Sequence, residues 1–159
     1  MSGSFNVRVY GILIDDQKRL LVSDEYIRSK YYTKFPGGGL EFGEGTRDCL
    51  KREFIEEMNL RIEVLNHLYT TDFYQESAFR PGDQIISIYY LVKALEPILV
   101  RLSDIPFDFD EAHLLLYKEM GEIETFRFIE LANLSEESVT LPIDKVVVQL
   151  IRKKYTSDP

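Results

Sequence analysis

Between Gly38 and Leu60 a glycine-rich run leads directly into a segment dense in glutamate, and this stretch limits what the chain can fold into more than any other. Pro36, Gly37, Gly38 and Gly39 suit neither a helix interior nor a central strand, so they predict a loop. From Thr46 to Met58 helix formers dominate. Thr46 is the expected N-cap, Asp48 falls in the first turn where the helix dipole favours negative charge, and Asn59 is the expected stop. At about 100° per residue, Glu53, Glu56 and Glu57 project from one side of this helix. Leu50, Phe54 and Met58 form an adjacent apolar stripe at four-residue spacing, which would anchor the helix to a sheet and hold the acids beside it.

Like charges three and four positions apart cost roughly 0.2–0.5 kcal/mol per pair on an exposed helix, so the acids do not stabilise the free helix. A bound cation reverses that sign. Oxygen ligands suit a hard ion such as Mg2+ or Mn2+, which keeps several waters and is shared with substrate phosphates. A Glu-x-x-Glu-Glu taken alone is ordinarily a solvated face. Here Gly38, Glu44, Arg52, Glu53, Glu56 and Glu57, with apolar Phe54 and Leu60, follow a longer pattern: Gly, five residues, Glu, seven residues, Arg-Glu-apolar-x-Glu-Glu-x-Gly-apolar. In this pattern, and in the approach from Lys34 to Glu41, the chain resembles the Nudix hydrolases. One position departs, Asn59 standing where the family box ends in Gly. Asn is the next best residue for the left-handed conformation, so the turn is expected to survive at a small cost in stability.

The resemblance implies an α/β fold, an α/β/α sandwich with a mixed β-sheet, in which the box forms a loop, a helix and a loop. It also implies divalent-metal-dependent hydrolysis of the diphosphate linkage of a nucleoside diphosphate joined to a further group. Glu53, Glu56 and Glu57 match the family's metal-binding glutamates, with Glu53 and Glu57 foremost. Glu44 matches the outlying glutamate, and a carbonyl of Gly37 or Gly38 is a further candidate ligand. Arg52 matches the box arginine, whose expected work is to orient the carboxylates by charge-assisted hydrogen bonds. The general base is either Glu53 or an acid from the loop holding Asp108, Asp110 and Glu111. Two other readings stand beside hydrolysis: a non-catalytic ligand-sensing Nudix domain, and an isomerase of prenyl diphosphates. The complete glutamate set, and the lack of a DNA-binding helix-turn-helix or basic segment, disfavour the first.

Elsewhere, Phe5 to Asp15 and Arg19 to Ser23 alternate like strands around Asp15-Asp16-Gln17-Lys18, which predicts a β-hairpin. Tyr26 to Lys34 shows no clear period and is expected to be a loop. Arg61 to Phe73, Gln84 to Leu95 and Thr125 to Ile129 are strand-like, with a loop at 76–83. Ser103 to Glu111 is acidic, contains Pro106, and is expected to be a loop. Ile143 to Lys153 places Ile143, Val146, Val147, Leu150 and Ile151 on one helix face. Substrate recognition is expected from the loops at 25–34, 74–83 and 103–122. Arg28, Lys30, Tyr31, Tyr32 and Lys34 are candidates to hold phosphates and stack a base, with Arg80 a further candidate. Nucleoside triphosphates, nucleotide sugars and dinucleoside polyphosphates all fit. ADP-ribose hydrolases of the family often carry a proline beyond the box, and none stands around Tyr74 to Glu76, which weighs weakly against ADP-ribose.

A length of 159 residues fits one domain, 1–159, and the net charge of −8 argues against a nucleic-acid partner, whose phosphates need cationic contacts. A small anionic substrate then needs a metal ion or local Arg and Lys to offset the repulsion. Cys49 is the only cysteine, so no internal disulfide can form. His67 and His113 lack metal-ligand spacing. No apolar run is long enough for a membrane helix, and Met1 to Arg8 lacks the pattern of an export signal, so a cytoplasmic setting is expected. Oligomeric state is left open, a homodimer included.

Overall fold

The computed structural model describes residues 3–156. Met1, Ser2, Ser157, Asp158 and Pro159, which the expected single domain includes, lie outside the described residues. The elements run β1 (Phe5–Leu13), β2 (Arg19–Ile27), β3 (Lys30–Lys34), β4 (Gly37–Gly39), α1 (Thr46–Met58), β5 (Ile62–Thr70), β6 (Gln84–Ala94), β7 (Leu102–Ser103), α2 (Glu111–Met120), β8 (Glu122–Glu130) and α3 (Pro142–Tyr155). They form two compact units interleaved in sequence, Met1–Leu13 with Pro36–Leu99 and Ile14–Phe35 with Val100–Pro159. The fold is α/β, and the expected mixed sheet is present as two four-stranded sheets, each mixed.

In the first unit the strand order is β4-β1-β6-β5. β1 runs parallel to β6 and antiparallel to β4, and β5 is antiparallel to β6 with register shifts on either side of His67. Val9, Ile62, Val64 and Val92 are buried, as is the α1 stripe of Leu50, Phe54 and Met58. Phe54 is 0% exposed, and its ring lies 2.7 Å from the point a Cβ on Gly11 would occupy. Gly11 in β1 is therefore small so that α1 can come down onto the strand, and burying the Phe54 ring stabilises this contact by about 1.5–3 kcal/mol.

The second unit has the order β3-β2-β8-β7, with β7 parallel to β8 and the other pairs antiparallel. Its polar centre is Asp24, 0% exposed, which accepts Nε and Nη2 of Arg127 at 2.6 and 3.1 Å, the Thr33 hydroxyl at 2.7 Å and the Phe107 amide at 3.2 Å. A buried charge needs such a full complement of partners. α3 starts with Pro142 and carries Asp144 in its first turn and Arg152, Lys153 and Lys154 in its last, charges the dipole favours; of its expected face it buries Ile143, Val147 and Ile151, while Val146 and Leu150 are half-buried and Val148, not expected there, is fully buried.

Four expectations are corrected. β1 and β2 do not form a hairpin: after a single bridge between Ile14 and Leu20 they enter different sheets, although the Asp15 turn itself forms, its carboxylate accepting the amides of Gln17 and Arg19. Residues 26–34 are not a loop but the tight hairpin of β2 and β3. Its two central residues, Arg28 and Ser29, have φ of 48° and 68°, the type I′ geometry that matches the twist of the flanking strands. The glycines at 37–39 form an edge strand instead of a loop, since Pro36, which lacks an amide hydrogen, stands just outside it. The acidic stretch from Ser103 holds the end of β7 and, from Glu111, a helix that the sequence reading did not foresee.

Candidate active site

α1 is fastened at both ends by backbone and sheet contacts. Its N-cap is Gly45, with no side-chain bond, and Thr46, expected in that place, instead bonds the Tyr90 hydroxyl at 2.7 Å. Arg47 donates to the Val64 carbonyl at 2.9 Å and lies over the Tyr90 ring. At the other end Asn59 is left-handed, φ 49° and ψ 40°, and its amide bonds the Ile55 carbonyl at 2.9 Å, so the expected turn forms.

Two acids of this helix, Glu53 and Glu56, and two of the loop before it, Glu41 and Glu44, are gathered around one guanidinium. Arg52 donates to both oxygens of Glu44 at 2.7 and 3.0 Å, to Glu53 at 2.9 Å, to Glu56 at 3.2 Å and to the Gly39 carbonyl at 3.0 Å. Glu41 stands 3.7 Å away. The Arg52 bonds hold the Glu44 carboxyl down at about 2, and they hold the Arg52 guanidinium above its ordinary range. Burial pushes the Glu53 carboxyl up; Arg52 opposes that and Glu56 adds to it. Burial also pushes the Cys49 thiol up to about 12, which suits packing and not nucleophilic attack.

Glu53 is placed by a close approach. Its carboxyl atoms lie 2.4–2.6 Å from the point a Cβ on Gly38 would occupy, so any larger residue there would displace the carboxylate. Glu57 is half-buried on the same helix, and Glu56 is the outermost, its side chain 57% exposed. Among the described residues no three His, Cys, Asp or Glu side chains converge as they would around an ion. The donor set nonetheless fits a hard divalent cation by its chemistry: carboxylate oxygens from Glu53, Glu56 and Glu57, with the Gly38 backbone bare enough for close approach.

The other candidates are spread over the chain. Arg28 and Lys30 are exposed on the β2–β3 hairpin, whereas Tyr32 and Lys34 are buried and the Lys34 ammonium pairs with Glu25 at 2.9 Å. Tyr31 is exposed on that hairpin and stacks on Tyr26. Arg80 is exposed in the 76–83 loop. Asp108 accepts Arg101 and the Ser103 hydroxyl, Asp110 accepts the His113 amide as the α2 cap, and Glu111 is exposed at the start of that helix. Sequence reading missed Glu41 and Arg8. Arg8 lies opposite Gly39 in the β1–β4 ladder, and that register, which brings it beside the site, leaves no trace in local sequence.

The family model of the NUDIX domain matches residues 4–146, which takes in segments of both units. Solved structures with the same fold include the E. coli ORF135 protein, at 15% identity and TM-score 0.68 over 98% of this chain and 96% of that one. A NUDIX hydrolase from Nitrosomonas europaea matches at 17% identity and TM-score 0.64, over 95% and 88%. An ADP-ribose pyrophosphatase from Streptococcus suis matches at 14% identity and TM-score 0.57, over 97% and 94%.

Proposed function

Given that the chain belongs to the NUDIX family and is a pyrophosphohydrolase of it, we propose that it hydrolyses the diphosphate linkage of a nucleoside diphosphate joined to a further group, with Mg2+ or Mn2+ as cofactor. The substrate class is a nucleoside triphosphate, a nucleotide sugar or a dinucleoside polyphosphate. Residues 1–159 are read as one domain because the family match runs through both units, and the buried thiol of Cys49 accords with a cytoplasmic setting. No helix is long and apolar enough to cross a membrane among the described residues.

The observation that carries the reading is the set of acids around Arg52, with Glu53 seated on Gly38. Family members use divalent metal ions, and here Glu53, Glu56 and Glu57 would hold one, with Glu44 and a carbonyl of Gly37 or Gly38 as further ligands. Such an ion, when bound, neutralises the diphosphate and acidifies a water. Arg52 fixes the carboxylates in place, which keeps their rotamers from scattering under mutual repulsion. Glu53 is the favoured base, because Asp108 and Asp110 already hold local structure around α2.

The test is an assay of these compounds, ADP-ribose included, with Mg2+ or Mn2+ and then with excess chelator. Release of phosphate or a nucleoside monophosphate is expected in metal and none in chelator. Full turnover in chelator would overturn the metal's role. Binding without any product would favour a ligand-sensing domain, and rearrangement of a prenyl diphosphate an isomerase.

A further inference from the structure

Four glutamates, Glu41, Glu44, Glu53 and Glu56, gather around Arg52, and the half-buried Glu57 lies on the same helix, in a region read as taking a substrate that is itself an anion. The nearest arginine, Arg52, is committed to four of those acids. Arg47 is committed to the Val64 carbonyl and the Tyr90 ring, and Arg61 to Glu96. Arg8 belongs to β1 and reaches the β4 edge.

In the β1–β4 ladder Arg8 is opposite Gly39, and its Nη1 lies 3.7 Å from the point a Cβ on Gly39 would occupy. The Glu53 carboxylate presses on Gly38, the next residue of the same strand. Adjacent residues of a strand face opposite ways. The edge strand β4 is thus a bare backbone with a carboxylate against one face and a guanidinium against the other. Its three glycines add no side chain to cover either group. Arg8 Nε donates to the Tyr10 hydroxyl at 2.6 Å, and the guanidinium carbon lies 5.7 Å from the centre of the Tyr10 ring. Tyr10 is itself buried and stacked on Tyr89, so the guanidinium is held on a rigid support. A planar fork with five donors, fixed in orientation, matches phosphate oxygens better than a mobile ammonium does.

We propose that Arg8 is an anion subsite of the catalytic centre, gripping a phosphate of the diphosphate substrate at the β4 edge. This rests on the reading of the chain as a diphosphate hydrolase, and it assigns Arg8 to substrate binding, separate from the carboxylates that would hold the metal.

The experiment uses the full chain as wild type, Arg8→Gln and Arg8→Met. Affinity for imidodiphosphate, an uncleavable diphosphate, is measured by calorimetry in chelator and again with Mg2+, beside steady-state kinetics on the best substrate of the assay above. Removing the charged donors is expected to weaken imidodiphosphate about tenfold or more and to raise KM by a similar factor, with kcat within about threefold. Unchanged affinity overturns the subsite, and so does a fall in kcat at constant KM and affinity, which would mean that Arg8 acts only on Glu53. If Arg8→Gln melts much below wild type, Arg8→Met, which keeps the packing of the stem, decides by the same readings. If wild type cleaves nothing, the hydrolase reading fails on its own and the imidodiphosphate series still decides for or against Arg8.

Discussion

α1 and α2 are helices of similar length held by opposite means. α1 has no side-chain cap at its N-terminus and lacks a basic residue in its last turn, but it buries Cys49, Leu50, Phe54 and Met58. α2 has a full capping box, in which Asp110 accepts the His113 amide at 2.9 Å while His113 Nδ1 accepts the Asp110 amide at 3.2 Å. It ends on left-handed Gly121, and it buries no residue at all. Packing onto β1 lets α1 tolerate the repulsion between its acids, which the Arg52 contacts to Glu53 and Glu56 relieve in part. α2 is assembled from local rules, with Leu114, Leu115, Leu116 and Met120 left at the surface. The helix proposed to carry the chemistry is therefore the one whose position comes from distant parts of the chain.

The sharpest way to break this contrast is to remove the anchor of α1. Phe54→Ala should cost about 3–5 kcal/mol, while Leu115→Ala, at a side chain 64% exposed, should stay within about 0.5 kcal/mol. Urea melts of both variants test this, and similar costs would end the distinction.

Next in size, Glu53→Gln and Glu57→Gln should each lower kcat by about a hundredfold or more, with apo melting temperature unchanged or raised. Gln keeps the shape of Glu but removes charge from a crowded face, so activity and stability should move apart. Near-normal kcat in both variants would return α1 to a merely solvated charged face.

A smaller effect is expected at the α2 cap. Asp110→Ala should cost about 1 kcal/mol, confined to α2 and read as faster amide exchange there with little change in global melting. The His113 amide holds the Asp110 carboxyl below its ordinary 3.8. A carboxyl depressed on folding contributes fully above its unfolded value, and the contribution is lost as pH falls through the folded one. Acidification below 3.8 should therefore loosen α2 in wild type and leave Asp110→Ala unaffected by that route. Equal acid sensitivity in the two proteins would show that the cap is not what holds the helix.

The smallest change is Asn59→Gly, which should be neutral or stabilising by a few tenths of a kcal/mol, because Gly takes the left-handed conformation more cheaply than Asn. A large drop in melting temperature would mean that the Asn59 side chain is needed.

The parts legible in sequence are those where the cause is local. The α1 stripe, the stop at Asn59 and three of the five expected α3 face residues follow from spacing alone, and the α/β class with mixed sheet pairing came with the family pattern. Asp15 also advertised a turn correctly, yet a turn does not choose sheet partners, and β1 found β6 instead of β2. The Arg28–Ser29 turn was invisible because type I′ turns are usually marked by Asn-Gly, and this one puts two ordinary residues at positive φ. Within the candidate site the acids could be read from the helix period. The placement of Arg8 over Gly39, and the contact that makes Gly38 indispensable to Glu53, depend on strand register and on a helix brought down from elsewhere.

The parallel pairing of β1 with β6 also sets an order of events during synthesis. β1 leaves the ribosome well before its parallel partner Gln84–Ala94, which follows only after β2, β3, β4, α1 and β5 have all emerged. Meanwhile β2 and β3 can close their hairpin at once. A nascent chain therefore carries Val9, Ile12 and Leu13, all buried in the finished protein, on a strand whose β6 edge stays open and which has at most the three residues of β4 to pair with for most of the time unit one takes to be translated. Slow translation before residue 84 would lengthen that exposure, and a chaperone that masks β1 would raise the yield of this protein more than one that masks α3.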